Sequence, residues 1–244
     1  IDYRYVNKFT LRSVPALDDI NDIIQKIGNA RYISKFDAKS GYHQCMVKKE
    51  DRWLTAFVCD AGVFQYCRAP FGLKGSGDTF THAVHQVIEP IKEFTKSYVD
   101  DMAVHSNRWS DHLKHIESFL LTIRQSGFTL GLNKCEFAKS SVKYIGHIVG
   151  SGQRGVDPEK VYGAIERLKE PETKKQLRQI IGFFSYFRDY ISNFSFIAKP
   201  LTDLTNKRVP ERIPFQQRER DAFNELKKLF VDAVKHPLNV IDMS

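Results

Sequence analysis

The sequence predicts an α+β fold, with a sheet carrying helices on one face and a smaller helical part after it. Up to about residue 150, β-prone runs alternate with amphipathic helical runs, which is typical of such a layered domain. After Gly155 the pattern changes to helices alone. Of the 244 residues, 42% are hydrophobic and 27% are charged, which is enough apolar material for one large domain or two small ones.

Apolar spacing and stop signals define the individual elements. Helices are predicted over residues 18–27, 79–88, 111–125, 160–168, 174–191 and 219–234. Strands are predicted in pairs over residues 30–47, 52–70 and 135–150, and a further hairpin is predicted around residues 98–104. In the helix over 111–125, we expect the inward face to carry Leu113, Ile116, Leu120 and Ile123.

Composition narrows the class of protein. The net charge of +8 is spread along the chain and fits a polyanionic partner. No apolar run approaches the roughly 20 residues that span a bilayer, so no membrane partner is expected. The four cysteines form no Cys-x-x-Cys pair, which indicates reduced thiols in an intracellular compartment. The pairs His82/His85 and His112/His115 are interpreted as exposed helix histidines, not zinc ligands.

Two adjacent acids interrupt a β-prone stretch, in the sequence YVDDMAV (98–104). Strands disfavour Asp, and neighbouring like charges repel, so folding alone does not call for Asp100 and Asp101. Crowded carboxylates become favourable around a divalent cation, which prefers oxygen ligands. Asp37, at the end of the β-prone run YISKFD, becomes a third ligand if a sheet pairs its strand with theirs. The alternative is that Asp37 caps a turn and the pair is a solvated hairpin tip.

Sequence blocks make the interpretation specific. The chain resembles the reverse transcriptase of gypsy-type long-terminal-repeat retrotransposons and, more distantly, retroviral reverse transcriptases. The similarity covers nearly the whole chain, and it rests on nine blocks in order: DYRYVN (2–7), FDAKSGYHQ (36–44), TAF (55–57), APFGLKGSGDTF (69–80), YVDD (98–101), KCEF (134–137), YIGHIV (144–149), DPEKV (157–161) and LRQIIGFFSYFRDYISNFS (177–195).

The resemblance implies a catalytic centre and a cofactor. It makes Asp37, Asp100 and Asp101 the catalytic aspartates that bind two Mg²⁺ ions, with Mn²⁺ as a possible substitute. The implied substrates are deoxynucleoside triphosphates and an RNA or DNA template–primer duplex. The implied reaction is RNA- and DNA-directed DNA polymerisation. A host-recruited or truncated nucleic-acid-binding or interaction protein on the same fold, without polymerase activity, remains the alternative.

The resemblance also implies roles outside the carboxylates. It places Ala38, Tyr42, Pro70, Phe71 and Gly72 at the nucleotide, with Tyr42 excluding a ribose 2′-hydroxyl by steric clash, although a core aromatic is the alternative there. The implied primer grip consists of Tyr144, Ile145, Gly146 and His147. The implied phosphate contacts are Lys174, Lys175 and Arg178, for which a solvated charged face is the alternative.

The implied domains are partial fingers and palm over residues 1–150, a helical thumb over 151–205 and a helical linker over 206–244. We expect a piece of a Pol polyprotein, with basic fingers residues upstream and ribonuclease H and integrase elsewhere, and a possible dimer. The implied location is the cytoplasm or a virus-like particle. One departure from the family pattern is Lys74-Gly75-Ser76-Gly77-Asp78, which alters a helix start without touching a metal ligand.

Overall fold

The structure is a computed structural model that describes residues 1–11 and 18–240. It divides into two compact units, Ile1–Ile145 and a second that begins at Gly146. The end of the predicted linker, residues 241–244, lies outside the described residues. Within the described ranges, no helix is long and apolar enough to cross a membrane. The α+β class predicted from the sequence is confirmed.

The first unit combines helices with short strands. In chain order its elements are α1 (Val6–Phe9), α2 (Ile20–Gly28), β1 (Tyr32–Asp37), β2 (Phe57–Cys59), β3 (Gly62–Phe64), α3 (Ser76–Ile88), β4 (Thr95–Tyr98), β5 (Asp101–Ser106), α4 (Trp109–Ser126), β6 (Glu136–Lys139) and β7 (Ser141–Tyr144). The strand predicted after Asp37 is a 3₁₀ helix, Gly41–Gln44, entered through Ser40 in a left-handed conformation with φ of 51°.

The main sheet of the first unit is antiparallel, with strand order β4-β5-β1-β6. Along the central pair β1–β5, the register runs from Tyr32 opposite Ser106 to Asp37 opposite Asp101. Side chains alternate between the two faces of a strand. The face that carries Phe36 is buried against α3 and α4. Its core residues include Phe36, Met102, Val104, Phe80, Val84, Phe119 and Ile123.

The buried face of α4 differs from the predicted one. Leu113 and Leu120, predicted to face inward, are 51% and 40% exposed. His112 and Phe119 lie inward and are fully buried, so the prediction of an exposed His112 was wrong. The helical period is satisfied by His112, Phe119 and Ile123, with polar partners making the burial of His112 tolerable. The prediction was correct for Ile123, which is buried, and for Ile116, which packs against the core, and wrong for the two leucines.

The second unit is mainly helical. Its elements are β8 (His147–Gly150), β9 (Gln153–Val156), α5 (Pro158–Arg167), α6 (Lys174–Tyr186), α7 (Phe194–Asp203), α8 (Gln217–Asp232) and β10 (Leu238–Asn239). Strands β8, β9 and β10 pair antiparallel. The core is rich in large apolar side chains and includes Val161, Leu177, Phe184, Leu201, Phe223, Leu226 and Phe230.

Two features of the second unit depart from the sequence prediction. The helix predicted over 174–191 ends at Tyr186 and continues as a 3₁₀ turn, Arg188–Tyr190. Helix α7 was not predicted, because it contains Pro200 and follows Asn193 in a left-handed conformation with φ of 56°. Pro200 is a helix-breaking signal in the sequence, and the tertiary packing of Ala198 and Leu201 overrides it.

A cluster of histidines is built into the first unit. The His112 ring lies between two hydroxyls, with Nε2 2.9 Å from Ser34 Oγ and Nδ1 2.9 Å from Ser106 Oγ. The same Ser106 hydroxyl lies 2.8 Å from His115 Nδ1. Burial lowers the pKa of His112. This burial favours the neutral form of the His112 ring.

His105 on β5 is the most perturbed of these histidines. Its Nε2 is buried and has no hydrogen-bond partner among the described residues. Burial lowers its pKa to about 4, and the charges that add to this lowering are those of Lys96, His115, Lys26 and His112. An unfolded histidine has a pKa near 6.5, so the unfolded chain binds more protons between about pH 6.5 and 4.

Stability should therefore fall as pH drops through that window, and His105→Leu should reduce the fall. The neutral ring contributes fully above about pH 6.5, and at about pH 5 we expect a loss of roughly 1–2 kcal/mol from this residue. Urea unfolding of wild type and variant at about pH 7.5 and 5 measures it. The matched control is His82→Leu on the exposed face of α3, which should leave the pH dependence as in the wild type. Identical slopes for wild type and His105→Leu would contradict the assignment.

Candidate active site

The pairing of β1 with β5 brings two of the predicted aspartates together. Asp37, the last residue of β1, lies directly opposite Asp101, the first residue of β5. Opposed residues in an antiparallel pair point to the same face. That face is the one opposite Phe36 and Met102, which are buried in the core. Asp37 and Asp101 are therefore neighbours at one end of the sheet, on its less buried face.

Asp100 lies on the turn that precedes β5. Strands β4 and β5 are joined by two residues, Val99 and Asp100, between the paired Tyr98 and Asp101. Val99 has φ of 57°, a conformation that β-branched residues rarely adopt and that costs on the order of 1–3 kcal/mol. The amide of Ala38 donates to the Asp100 carbonyl over 3.4 Å, so the turn is attached to the end of β1. The strained turn carries an exposed Asp100 directly before Asp101.

Two lysines accompany these carboxylates. Lys35 Nζ lies 2.9 Å from Asp101 Oδ1 and donates to the carbonyl oxygen of Lys143 over 2.8 Å. Lys134 Nζ lies 3.2 Å from both carboxylate oxygens of Asp37. The two pairs differ in exposure, since the side chain of Lys35 is 17% exposed and that of Lys134 is 70% exposed. The ammonium groups compensate charge that the carboxylates would otherwise leave unpaired.

The environment of Asp101 disfavours its ionised form. Burial raises the pKa of the Asp101 carboxyl, the Lys35 ammonium opposes that rise, and the charges of Asp100 and Asp37 add to it. Tyr144 is fully buried and donates its hydroxyl to the backbone carbonyl of Asp101 over 3.1 Å. Burial raises the pKa of Tyr144 well above its ordinary value, so this donor stays protonated. Tyr144 thus supports the start of β5 from the interior.

The donor set fits a hard divalent cation, but the side chains are engaged elsewhere. Carboxylate oxygens are the ligands that Mg²⁺ prefers, and Asp37 and Asp101 are brought together by the sheet register. Across residues 1–11 and 18–240, however, no three His, Cys, Asp or Glu side chains are grouped closely enough to hold a metal as they stand. Lys35 and Lys134 occupy oxygens that a cation would use. A cation that bound these oxygens would compete with the two ammonium groups.

An open cavity of about 490 Å³ adjoins Asp37. Its lining continues from Lys39 and Ser40 to residues 130–134. Gly131 approaches Asp37 closely, donating its amide to the Asp37 carbonyl over 2.9 Å. A Cβ at this glycine would lie 3.5 Å from Asp37 Oδ1. The backbone of this segment therefore forms a wall beside the carboxylate.

An aromatic cluster follows Asp37 by five residues. Tyr42, on the 3₁₀ helix, has its ring centroid 5.3 Å from that of Phe71 and 6.0 Å from that of Phe80. Phe80 is fully buried, whereas Phe71 is 59% exposed. Tyr42 therefore lies between the core and the surface, with one ring neighbour on each side. Because Tyr42 is half-buried, its position fits both a core aromatic and a contact to a nucleotide sugar.

Pro70, Phe71 and Gly72 form the loop beside this cluster. Pro70 is buried and its carbonyl accepts from Ser76 Oγ over 3.3 Å. Gly72 has φ of 88°, which favours glycine. Its carbonyl accepts from Asn7 Nδ2 over 2.9 Å, while Asn7 Oδ1 accepts from the amide of Lys74 over 2.6 Å. The structure thus brings Tyr42 and Phe71 together and ties their loop to the N-terminal helix.

The predicted primer-grip residues divide between the two units. In the first unit Tyr144 is buried, and Ile145 has φ of 49°. In the second unit Gly146 has φ of 79° and His147 is 4% exposed. Burial lowers the pKa of His147 to about 4, and its Nδ1 lies 3.0 Å from the Tyr190 hydroxyl. Any contact of Tyr144 or His147 with a ligand is therefore limited to the backbone.

The structure corrects one predicted phosphate contact. Lys174 is only 5% exposed, and its ammonium donates to the carbonyl oxygen of Asn206 over 2.6 Å. It fixes the start of α6 to the segment after α7 and is not free to reach a phosphate. Lys175 and Arg178 are exposed, with Arg178 Nη2 3.4 Å from the Thr205 carbonyl. The charge pattern could not distinguish the three, because each belongs to the same polar run.

Sequence reasoning missed three residues that organise the site. Lys35 lies two residues before Asp37, so strand alternation alone places it on the same face. Lys134 belongs to the block KCEF, whose relation to Asp37 only the fold reveals. The side-chain amide nitrogen of Gln44 donates to the carbonyls of Lys39 and Thr129 over 2.6 and 2.9 Å. Gln44 thus holds the turn after β1 against the wall of the cavity.

Comparison with known proteins shows which family the chain belongs to. A family model described as reverse transcriptase (RNA-dependent DNA polymerase) matches residues 1–149. The chain belongs to the reverse transcriptase family, as its sequence blocks predicted. It is 34% identical over 239 residues to the retrovirus-related Pol polyprotein from transposon gypsy of Drosophila melanogaster, covering 94% of this chain and 23% of that protein. It is 30% identical to the transposon Tf2-3 polyprotein of Schizosaccharomyces pombe, covering 95% and 17%.

Solved structures agree with the family. The foamy viral protease–reverse transcriptase dRH in complex with double-stranded DNA superposes with a TM-score of 0.79 at 27% identity, covering 95% of this chain and 41% of that one. A foamy viral protease–reverse transcriptase in complex with RNA/DNA hybrid gives 0.75 at 26% identity, covering 98% and 32%. The chain thus spans about a quarter or less of the polyprotein relatives and under half of these solved chains.

The close packing of Gly41, next to Tyr42, against Phe80 can be tested by substitution. A Cβ at Gly41 would lie 2.7 Å from Cζ of the buried Phe80, so Gly41→Ala must displace the 3₁₀ helix or the ring. We expect a loss of roughly 1–3 kcal/mol in the free energy of unfolding, measured by urea denaturation. The control is Gly77→Ala in α3, where a Cβ would lie 3.5 Å from the Tyr42 hydroxyl. Gly77→Ala should be neutral or stabilising, because Ala is favoured over Gly in a helix.

Proposed function

We propose that the chain is the polymerase part of an RNA- and DNA-directed DNA polymerase that extends a primer 3′-hydroxyl with deoxynucleotides. The observation that carries the proposal is the β1–β5 register, which aligns Asp37 with Asp101 and leaves Asp100 on the adjoining turn. Membership of the reverse transcriptase family supports it. In the proposed reaction the primer 3′ oxygen bonds to the α-phosphorus of the incoming nucleotide, and the bond to pyrophosphate breaks in line.

Asp37, Asp100 and Asp101 would hold two Mg²⁺ ions, with Mn²⁺ as a substitute. When bound, these ions neutralise charge on the triphosphate and favour the ionised primer hydroxyl. The protein's own contribution is placement. The strained Val99 turn and the Ala38–Asp100 hydrogen bond fix the backbone that carries Asp100. Tyr144 holds the backbone of Asp101. Fixed ligands limit the reorganisation that the reaction requires.

The nucleotide would lie in the cavity beside Asp37 and the adjoining aromatic cluster. Ala38 continues the chain from Asp37, and Tyr42 and Phe71 offer ring surface half in and half out of the core. Under this proposal Tyr42 clashes with a ribose 2′-hydroxyl and so disfavours ribonucleotides. Pro70 and Gly72 shape the loop that carries Phe71.

The template–primer duplex would be held through backbone and phosphate contacts. The proposed domains are partial fingers and palm over residues 1–150, a helical thumb over 151–205 and a helical linker over 206–244. The turn over residues 144–147 would position the primer end, and Lys175 and Arg178 are the proposed phosphate contacts. Support comes from the foamy viral neighbours, which were solved with double-stranded DNA and with RNA/DNA hybrid.

A second function is favoured by a specific observation. Lys35 and Lys134 neutralise two of the three carboxylates, which is also what a protein that binds nucleic acid without polymerising would tolerate. Primer extension on poly-rA/oligo-dT with and without Mg²⁺, alongside duplex binding, separates the two. Extension that depends on Mg²⁺ supports the polymerase, whereas duplex binding without extension supports the alternative.

Replacing Asp100 by Asn should abolish primer extension while leaving the fold intact. The change removes one proposed metal ligand from an exposed turn and relieves repulsion with Asp101, so thermal stability should hold or rise. Extension rate and melting temperature are measured on the same preparation. Asp60→Asn is the matched control, because Asp60 is also exposed at a two-residue hairpin turn, between β2 and β3. An Asp100→Asn variant that extends as fast as Asp60→Asn would rule out the metal site.

Replacing Tyr42 by Val should admit ribonucleotides. The smaller side chain removes the ring that is proposed to clash with the 2′-hydroxyl, so the ratio of ribonucleotide to deoxynucleotide incorporation should rise by roughly ten- to a hundredfold. Steady-state incorporation of both substrates gives the ratio. Tyr42→Phe keeps the ring and should keep the wild-type ratio. An unchanged ratio in an active Tyr42→Val variant would make Tyr42 a packing residue only.

A further inference from the structure

Lys35 is placed between the predicted catalytic carboxylates and strand β7. It lies on the same face of β1 as Asp37, two residues earlier, and opposite Ala103 in the β1–β5 register. Its ammonium makes two contacts, 2.9 Å to Asp101 Oδ1 and 2.8 Å to the Lys143 carbonyl oxygen. A lysine ammonium has three donors, and two of them are thus directed by fixed partners.

The Lys35–Asp101 pair differs from an ordinary surface ion pair. The side chains of Lys35 and Asp101 are 17% and 27% exposed, so solvent screens the pair only in part. The exposed pairs of this chain, such as Lys92 with Glu89, have 62% and 64% exposure. Removing one partner of a mostly buried pair leaves a charge uncompensated, which makes Lys35 consequential for Asp101.

The backbone of Asp101 is held at the same place. The hydroxyl of the buried Tyr144 donates to its carbonyl, one residue along β7 from the carbonyl that Lys35 contacts. Asp101 is therefore connected to β7 twice, once through its backbone and once through its carboxylate by way of Lys35. Asp100 is exposed on the turn, and Asp37 is contacted by a lysine that is itself 70% exposed.

We propose that Lys35 is a positioning residue of the active site, which holds the Asp101 carboxylate towards β7 and neutralises it until a divalent cation competes for that carboxylate. The proposal rests on the proposed function, because it concerns the same three aspartates. It gives Asp101 a role distinct from that of Asp100, namely a carboxylate kept in place before the cation arrives. Lys35 itself touches neither nucleotide nor primer in this account.

Lys35→Met tests the proposal, because Met keeps the length of the side chain and removes the ammonium. Without the competing charge, the protein alone should bind Mg²⁺ more tightly, by roughly three- to tenfold, measured by calorimetric titration. The turnover number for primer extension should fall by roughly tenfold or more, because the Asp101 carboxylate is no longer fixed. KM for the nucleotide should change less than the turnover number. A residue that only stabilised the fold would not tighten Mg²⁺ binding.

Three further variants sharpen the test. Lys35→Arg keeps the positive charge and the donors, so Mg²⁺ affinity should stay near that of the wild type. Lys134→Met removes the exposed lysine beside Asp37, and its effect on Mg²⁺ affinity should be smaller than that of Lys35→Met. Lys139→Met, on the exposed side of β6, should bind Mg²⁺ and extend primers as the wild type does.

A double-mutant cycle decides whether Lys35 acts through Asp101. In an Asp101→Asn background, adding Lys35→Met should leave Mg²⁺ affinity unchanged, and the metal-free melting temperatures of the four proteins should be non-additive. Unchanged Mg²⁺ affinity in Lys35→Met, or the same tightening with and without Asp101, would overturn the proposal. If the wild type binds no Mg²⁺ and extends no primer, the proposed function fails. In that case the melting temperatures of the metal-free double-mutant cycle test the role of Lys35 on their own. Additive effects of Lys35→Met and Asp101→Asn would overturn that role, and non-additive effects would support it.

Discussion

The in-register antiparallel pairing of β1 with β5 is the constraint on which the rest of the site depends. It places Asp37 opposite Asp101 and, by alternation, sends Phe36 and Met102 into the core on the other face. Burial of Phe36 and Met102 on one face determines which residues lie on the other face, because a register slip of one residue would exchange the two faces. The hydrophobic effect on one side of the sheet thus sets the separation of two carboxylates on the other.

Crowding acids at one end of a sheet creates an electrostatic problem that the chain meets locally. Lys35 comes from the strand that carries Asp37, and Lys134 comes from the segment that forms the cavity wall. Lys35 is enclosed and Lys134 is open to solvent, so solvent screens the Lys134–Asp37 pair more than the Lys35–Asp101 pair. Tyr144 adds a neutral donor where burial would make another charge unfavourable. Both acids are thus compensated within the fold, one by an enclosed lysine and one by an exposed lysine.

The sequence predicted what is encoded locally or by the order of blocks. The adjacent acids in a β-prone stretch, the helix over 79–88 and the α+β class were all readable, because strand and helix periods are local. The partners of Asp37 and Asp101 were not, since Lys134 and Lys35 become partners only through tertiary contacts. The buried Lys174 escaped for the same reason. Its partner is the backbone carbonyl of Asn206, and every residue has such a carbonyl, so the sequence does not show which one is used.

The two-residue connection between Tyr98 and Asp101 has a consequence for how such a chain can vary over time. Side chains in β4 and β5 can be exchanged one at a time, with each substitution judged by its own packing. The length of the connection is constrained in another way, because an inserted or deleted residue would replace the two-residue turn that sets Asp100 directly before the start of β5. Substitutions within the two strands and changes in the length of this turn therefore act on different properties of the hairpin, the first on packing and the second on the position of Asp100.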